Sequence, residues 1–169
     1  MQGYYKDPEK TAEVLRDGWI HSGDRGTMDE NGYLRVIGRV KDAFKTSKGQ
    51  YITPNPIEEK FANNDFVEQV CLCGMTIPQP VALVNLSEIG TAVDKGQVEK
   101  ALLEDLQRIN KELKSYEKVS TIIVNKDSWS VENGLLTPTL KVRRGKVDEC
   151  YCDKYEAWHE AEPKVIWES

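Results

Sequence analysis

Two apolar stretches joined by a short turn, VEQVCLC at Val67–Cys73 and PVALVNL at Pro80–Leu86, decide the fold of this chain. Both are rich in β-branched residues and too short for typical helices, which predicts two neighbouring strands. A third run, VSTIIV at Val119–Val124, predicts another strand of the same kind. We therefore expect one β-sheet in the middle of the chain.

A long helix is predicted between the second and third of these strands. Apolar residues recur there at steps of three and four, the spacing of one face of an α-helix. At this length the stripe favours packing against the sheet, and a coiled-coil seam is the second interpretation. The stripe consists of Val98, Leu102, Leu106, Ile109, Leu113 and Tyr116.

The residues before the sheet predict a short helix and a β-hairpin. Asp7 is suited to cap a helix over Asp7–Arg16, with Pro8 at its first position. The turn signal DENG at Asp29–Gly32 leads into YLRVI at Tyr33–Ile37, which alternates like a half-buried strand. The order of elements predicts the α+β class: a small domain with a mostly antiparallel sheet flanked by helices, preceded by this hairpin.

Three segments follow from this organisation, with the first boundary placed at GRVKD, Gly38–Asp42. Residues 1–38 contain the short helix and the hairpin, and residues 39–144 contain the α+β domain. Residues 145–169 form a C-terminal extension that mixes charged and aromatic residues. This mixture predicts a helix whose aromatic side chains pack on the body of the protein.

The composition is that of a folded protein with an acidic balance. Lys and Arg total 23 and Asp and Glu total 28, which gives a formal net charge of −5. This balance argues against nucleic-acid binding by general phosphate neutralisation. The apolar runs are too short to form a transmembrane segment, and no secretory leader opens the chain, so we expect a cytoplasmic location.

The four cysteines form two close pairs. Cys71 and Cys73 lie two residues apart on a predicted strand, so they face the same side and are expected to be core neighbours. One intervening residue is too few for the usual zinc-knuckle spacing. For Cys150 and Cys152, which lie in a polar stretch, a weak metal or redox site is left open but lacks support, because only His21 and His159 could add imidazole ligands.

The sequence lacks complete catalytic motifs such as a phosphate loop, a dinucleotide fingerprint or a serine elbow. Three isolated polar residues remain as candidates. Asp24 could bind a ribose diol or cap a turn, and Arg39 could form a surface salt bridge. Lys141 follows a Thr-Pro-Thr stretch that cannot be helical, so a loop or short edge element displays it. Its ammonium suits a phosphoryl or carboxylate oxygen, and a solvated lysine is the alternative.

Taken in order, three stretches resemble the carboxy-terminal part of the adenylate-forming acyl-CoA synthetases. They are GYYKDPEKTAEVLRDGWIHSGD at Gly3–Asp24, GYLRVIGRVKDAFKTSKGQYITPNPIEEKF at Gly32–Phe61, and LTPTLKVRR at Leu136–Arg144. The LTPTLK form is most similar to the long-chain fatty acyl-CoA ligase branch. The resemblance implies an AMP-forming acid–thiol ligase, in which a carboxylate attacks the α-phosphate of ATP and the CoA thiol then displaces AMP.

The resemblance also implies the roles of individual residues. Asp24 would hold the ribose hydroxyls of the nucleotide, and Arg39 would support the same nucleotide. Lys141 would lie between the acyl carboxylate and the α-phosphate during adenylation. A small mobile domain would swing on a hinge between the two half-reactions. The hinge would consist of Lys41 and Asp42, and the loop that lines the CoA tunnel of Lys48, Gly49 and Gln50; no metal ligand is assigned.

By the same resemblance, ATP, Mg²⁺ and CoA serve the whole enzyme, and none is held by this chain alone. The phosphate loop, the magnesium motif and the acyl pocket are expected in an N-terminal domain of the same polypeptide. The chain alone is therefore expected to be inactive, and the full enzyme to be cytoplasmic or peripheral to a membrane. Two alternatives remain: a stand-alone adaptor that binds a nucleotide or a protein, and another adenylate-forming branch such as an aryl or short-chain ligase.

Overall fold

A computed structural model describes residues 1–168, which divide after Lys41 into two compact units. Each unit has its own secondary structure and is described separately. The boundaries that the sequence suggests after residues 38 and 144 stay predictions. No helix within residues 1–168 has the length and hydropathy needed to span a bilayer. The cytoplasmic location likewise stays a prediction.

The first unit opens with helix α1, Pro8–Val14. The carboxylate of Asp7 accepts a hydrogen bond from the N–H of Lys10 at 2.9 Å, so the predicted cap is confirmed. The helix ends before the predicted Arg16, because Leu15–Arg16 forms strand β1 and pairs with β2, Trp19–Ile20. Asp17 and Gly18 between them both adopt positive φ, as a two-residue hairpin turn requires.

The second hairpin consists of β3, Asp24–Met28, and β4, Leu34–Arg39, in antiparallel register. Its turn is closed by the carboxylate of Asp29, which accepts hydrogen bonds from the N–H groups of Asn31 and Tyr33 at 2.9 Å each. The predicted hairpin and its turn are therefore confirmed. A register shift next to Gly26 bends the ribbon near its start.

The second unit begins with a two-stranded ribbon, β5 at Phe44–Lys45 and β6 at Tyr51–Ile52, followed by helix α2, Asn55–Glu58. A short 3₁₀ helix, Glu59–Phe61, continues α2 and buries Phe61. The predicted Gly-centred loop and the helix after it are both present. This segment leads directly into the central sheet.

The central sheet has four strands in the order β10-β9-β8-β7. They are β7 at Val67–Cys73, β8 at Val81–Leu86, β9 at Ile122–Val124 and β10 at Val165–Trp167. β7 pairs antiparallel with β8, whereas β8, β9 and β10 are mutually parallel. The α+β class is confirmed, and the two-stranded ribbons are antiparallel. The central sheet itself is mixed, because the helical connection between β8 and β9 brings the chain back in the parallel direction. The short parallel strand β10 was not predicted.

Helices cover both faces of this sheet. α3 at Glu88–Ala92 is followed by α4 at Lys95–Glu112, whose buried stripe packs on the face that contains Leu72 and Val84. The predicted packing of this stripe against the sheet is confirmed, although Leu113 and Tyr116 lie beyond the end of the helix. Because the sheet already buries the stripe within this chain, a coiled-coil partner is not required.

The opposite face of the sheet is covered by the C-terminal helices. These are α5 at Arg144–Tyr151 and α6 at Tyr155–Glu160, which bury Val147, Tyr155 and Trp158. Alternate residues of the strands face this second cluster, including Cys71 and Cys73. The two thiols are core neighbours as predicted, with their sulfur atoms 3.7 Å apart. Their hydrogen bond and their burial raise the pKa of the Cys71 thiol, so it stays protonated.

Candidate functional site

Lys141 lies in a tight turn of the second unit. The N–H of Thr137 donates to the carbonyl of Lys141, and the N–H of Leu140 donates to the carbonyl of Thr137, both at 2.8 Å. The hydroxyl of Thr137 also accepts a hydrogen bond from the N–H of Lys141 at 3.1 Å. The side chain of Lys141 is exposed. The prediction that a loop displays this lysine is confirmed.

The base of this turn is held by buried apolar residues. Leu136, which is 4% exposed, forms an isolated antiparallel bridge with Val142. The N–H of Arg143 donates to the carbonyl of Leu135 at 2.8 Å. The apolar base and the internally bonded tip hold the backbone of Lys141 in a defined position, from which its side chain extends into solvent.

The loop Lys48–Gln50 lies between β5 and β6 and is organised by Thr46. The N–H of Thr46 donates to the carbonyl of Gln50, and the carbonyl of Thr46 accepts from the N–H of Gly49, both at 2.9 Å. The buried hydroxyl of Thr46 accepts from the N–H of Gln50 at 3.2 Å. Gly49 has a φ of 79°, which favours glycine. The loop is therefore narrow and internally bonded, with its tip exposed.

Asp24 and Arg39 are brought together within the first unit. Asp24 begins β3 and Arg39 ends β4, and the two are paired in register. The Nε atom of Arg39 lies 3.4 Å from Oδ1 of Asp24. The pair forms the surface salt bridge that the sequence offered as one interpretation of Arg39, and it leaves the guanidinium largely exposed to other partners.

Lys41 and Asp42 lie in a single 3₁₀ turn, Val40–Asp42, directly after β4. The division between the two units falls between these two residues. Relative motion of compact units takes place at such connections, where few contacts restrain the backbone. The hinge role of the two residues stays a prediction.

Sequence reasoning missed a partly buried ion pair close in sequence to the Lys141 turn. The Nη2 atom of Arg144 lies 2.6 Å from Oε1 of Glu58, and both side chains are 15% exposed. The available signals were a second arginine in LTPTLKVRR and a glutamate beside the buried Ile57 in NPIEE. Neither signal indicates a pairing partner, because the two residues are 86 positions apart.

Metal-binding residues do not converge in the described part of the chain. Residues 1–168 contain no group of three or more His, Cys, Asp or Glu side chains placed to hold a metal ion. Cys150 and Cys152 are free and exposed.

The family of the chain follows from its similarity to known proteins. The family model for the AMP-binding enzyme C-terminal domain matches residues 41–162, which is most of the chain. The chain therefore belongs to the AMP-binding enzyme C-terminal domain family. The resemblance to acyl-CoA synthetases that the sequence motifs suggested is confirmed.

Curated relatives share this sequence at substantial identity. The chain is 40% identical to long-chain-fatty-acid–CoA ligase 5 of Rattus norvegicus over 95% of its own length. It is 38% identical to long-chain-fatty-acid–CoA ligase 1 of Homo sapiens over 85% of its length. The chain spans about a quarter of these relatives, 26% and 23% respectively.

Solved structures share the fold over nearly the whole chain. The adenylation domain of the carboxylate reductase from Mycobacterium chelonae has a TM-score of 0.77 and 28% identity, and the match covers 94% of this chain and 26% of that one. The adenylation domain from Segniliparus rugosus, solved with AMP and a co-purified carboxylic acid, has a TM-score of 0.74 and 30% identity. That match covers 93% of this chain and 26% of that one.

Proposed function

We propose that this chain is the carboxy-terminal part of an ATP-dependent fatty acyl-CoA synthetase that acts on long-chain fatty acids. Its partner is an N-terminal domain of the same polypeptide, and its substrates are a fatty acid, ATP and CoA. The proposal is supported by family membership and by relatives that are long-chain-fatty-acid–CoA ligases. The observation that carries it is the exposed Lys141, held on an internally bonded turn with an apolar base.

Lys141 serves the first half-reaction. A carboxylate oxygen of the fatty acid attacks the α-phosphorus of ATP, the bond to the bridging oxygen breaks, and pyrophosphate leaves. Two anionic groups must approach each other in this step, and a fixed cation between their oxygens lowers the barrier. An ammonium on a defined turn meets this requirement, because little reorganisation is needed when the substrates arrive.

The loop Lys48–Gln50 serves the second half-reaction. After rotation about Lys41 and Asp42, this loop takes the place of the Lys141 turn next to the substrates bound by the N-terminal domain. The CoA thiol, after losing its proton, attacks the acyl carbonyl of the adenylate, and AMP leaves. Gly49 allows the pantetheine arm to pass because it has no side chain.

Asp24 and Arg39 serve the nucleotide in both half-reactions. The Asp24 carboxylate can accept hydrogen bonds from both hydroxyls of a ribose. Arg39, at 3.4 Å from that carboxylate, orients it and adds positive charge for the phosphate. Their pairing across the hairpin supports this role, since one nucleotide can contact both.

A second candidate is an adenylate-forming enzyme whose acceptor is not CoA. It is favoured by the solved structures with TM-scores of 0.77 and 0.74, which are adenylation domains of carboxylate reductases. Both candidates share the adenylation step and Lys141. Thioester formation from acyl-adenylate and free CoA separates them, since only the first candidate catalyses it.

The proposed function is tested by Lys141→Ala in the longer protein that contains this chain. We expect adenylation, measured as fatty-acid-dependent pyrophosphate exchange into ATP, to fall by about 10²–10³-fold, because a contact made in the transition state is lost. Thioester formation from supplied acyl-adenylate should stay within about threefold. The control is Lys146→Ala, which removes an exposed lysine of α5 that pairs with Glu149.

Two results would contradict this proposal. Equal losses in both half-reactions would refute the assigned role of Lys141. Measurable acyl-CoA synthesis by the 169-residue chain alone would refute its dependence on an N-terminal domain.

A further inference from the structure

The edge of the central sheet is occupied by a charged pair. β7 is the last strand of the sheet, and the peptide of Leu72 in this strand bonds to side chains rather than to another strand. Its N–H donates to Oε1 of Glu58 at 2.6 Å, and its carbonyl accepts from Nη1 of Arg144. The two side chains therefore satisfy the outward-facing peptide of Leu72 at an open sheet edge and bond to each other as well.

Arg144 fixes the start of α5 through several contacts at once. Its Nη2 atom donates to Glu58 at 2.6 Å, and its Nη1 atom lies 3.2 Å from the sulfur of Cys71. Only a planar guanidinium can meet a carboxylate, a carbonyl and a sulfur in this arrangement, because its donors point in fixed directions. The position of Arg144 relative to β7 is therefore determined by direction as well as by charge.

Arg144 follows Lys141 by three residues, with no flexible spacer between them. The base of the turn is closed by the bridge between Leu136 and Val142 and by the hydrogen bond from the N–H of Arg143 to the carbonyl of Leu135. The Arg144 contacts supply a second attachment on the C-terminal side of the turn. With both attachments, the direction in which the turn presents Lys141 is set by the sheet.

We propose that Arg144, held by Glu58, is a positioning residue for Lys141. The pair makes no contact with substrate in this scheme and acts by restricting the motion of the Lys141 turn. The inference rests on the proposed function for its consequence in adenylation, whereas the restriction of the turn is a property of this chain alone. The loop Lys48–Gln50 has its own anchor in Thr46 and does not depend on Arg144.

The restriction is tested by nuclear magnetic resonance relaxation of the chain with Arg144→Lys. The lysine keeps the charge but cannot reach Glu58, the Leu72 carbonyl and Cys71 together. We expect backbone order parameters at Leu140 and Lys141 to fall from about 0.85 to below about 0.6. The order parameter of Gln50 should not change, which separates a local effect from general loosening. Lys146→Arg, which alters an exposed residue of α5 that pairs with Glu149, is the control.

A second variant keeps the test decisive if Arg144→Lys does not fold. Glu58→Gln preserves the size of the side chain and its acceptor for the Leu72 N–H, and removes the charge that orients Arg144. We expect a smaller loss of order in the same turn. Unchanged order at Lys141 in a folded variant of either residue, or equal loss at Lys141 and Gln50, would overturn the inference.

The consequence for chemistry is measured in the longer protein. Arg144→Lys should lower kcat for adenylation about tenfold with KM for ATP and fatty acid within about twofold, since binding groups are untouched. If Lys141→Ala itself leaves adenylation intact, the proposed function fails, while a mobile turn in Arg144→Lys still supports the positioning. If Lys141→Ala is inactive, and Arg144→Lys has a mobile turn but an unchanged kcat, the positioning role of Arg144 is overturned.

Discussion

The two units of the chain differ in how far their large apolar side chains are buried. In the second unit, two clusters of buried apolar side chains cover both faces of the central sheet. In the first unit, large apolar side chains are exposed, and order comes from turns and short ribbons. The exposed residues include Trp19, Met28, Tyr33, Leu34 and Val36.

The residues of the proposed site lie partly on the unit with a core and partly on the unit without one. Lys141 and the loop Lys48–Gln50 lie on a unit that has its own core. Asp24 and Arg39 lie on a hairpin whose apolar face has no cover within that unit. Exposed apolar surfaces of this kind mark contact sites, and in our proposal the N-terminal domain of the longer protein provides the contact. Four predictions test this comparison.

The largest expected effect is on stability. Leu83 is fully buried in the centre of the sheet, so Leu83→Ala should lower the free energy of unfolding of the chain by about 3 kcal/mol. Leu34 in the first unit is 67% exposed, so Leu34→Ala should change it by less than about 0.5 kcal/mol. Urea denaturation followed by circular dichroism measures both. Similar losses for the two variants would show that the units do not differ in this way.

The connection between the units gives the second prediction. Lys41→Pro fixes φ at the point where the units divide, and should slow thioester formation from acyl-adenylate about tenfold, or about 1.4 kcal/mol in activation free energy. Adenylation should change less, because it precedes the rotation. Lys41→Ala, which leaves the backbone free, is the control. An unchanged second half-reaction in Lys41→Pro would remove Lys41 from the hinge.

The third prediction compares two tyrosines. The buried hydroxyl of Tyr155 donates to Oδ1 of Asp148 at 2.7 Å, and burial raises the pKa of Tyr155 well above its ordinary value, so the donor proton is retained. Tyr155→Phe should lower the free energy of unfolding by about 1 kcal/mol. Tyr33→Phe, at an exposed position in the first unit, should have no measurable effect. Equal thermal shifts in the two variants would argue against a role for this hydrogen bond.

The smallest expected effect is a pH dependence from His159. Burial, with the positive charges of Lys164 and Lys48 outweighing the carboxylate of Glu160, lowers the pKa of His159 below its ordinary 6.5. The unfolded chain then binds a proton at a higher pH than the folded chain. The stabilisation is therefore fully present above about pH 6.5 and is lost as the pH falls through the lower folded pKa.

Urea denaturation at pH 7.5 and pH 5.5 measures this effect. The chain should lose more stability on acidification than the His159→Gln variant does. His21→Gln, which changes the histidine of the first unit, is the control. Identical pH dependence in the chain and in His159→Gln would rule out this contribution.

Much of the second unit could be predicted from sequence because its pattern is strong. The β-branched runs that become β7 and β8, and the stripe of α4, combine local propensity with burial, and both signals agree. β10 was missed, since three residues late in a polar stretch carry little pattern and depend on pairing with β9. The early end of α1 was also missed, although the Asp17–Gly18 dipeptide is a hairpin-turn signal.

In the candidate site, too, local features could be predicted from the sequence and contacts between distant residues could not. The turn around Lys141 could be predicted because Thr-Pro-Thr excludes a helix locally. The pairing of Glu58 with Arg144 could not be predicted, since it depends on where the edge of β7 lies in the folded domain. Local chemistry is therefore readable from the sequence, whereas contacts made across the fold are not.

In the proposed function, one domain carries separate loops for the two half-reactions. The direct test compares Lys141→Ala with Gly49→Leu in the longer protein, with Gly49→Ala as the control that shares the backbone strain but not the bulk. We predict a crossed pattern, in which Lys141→Ala loses pyrophosphate exchange and Gly49→Leu loses thioester formation from acyl-adenylate. Parallel loss of both half-reactions in both variants would contradict the account.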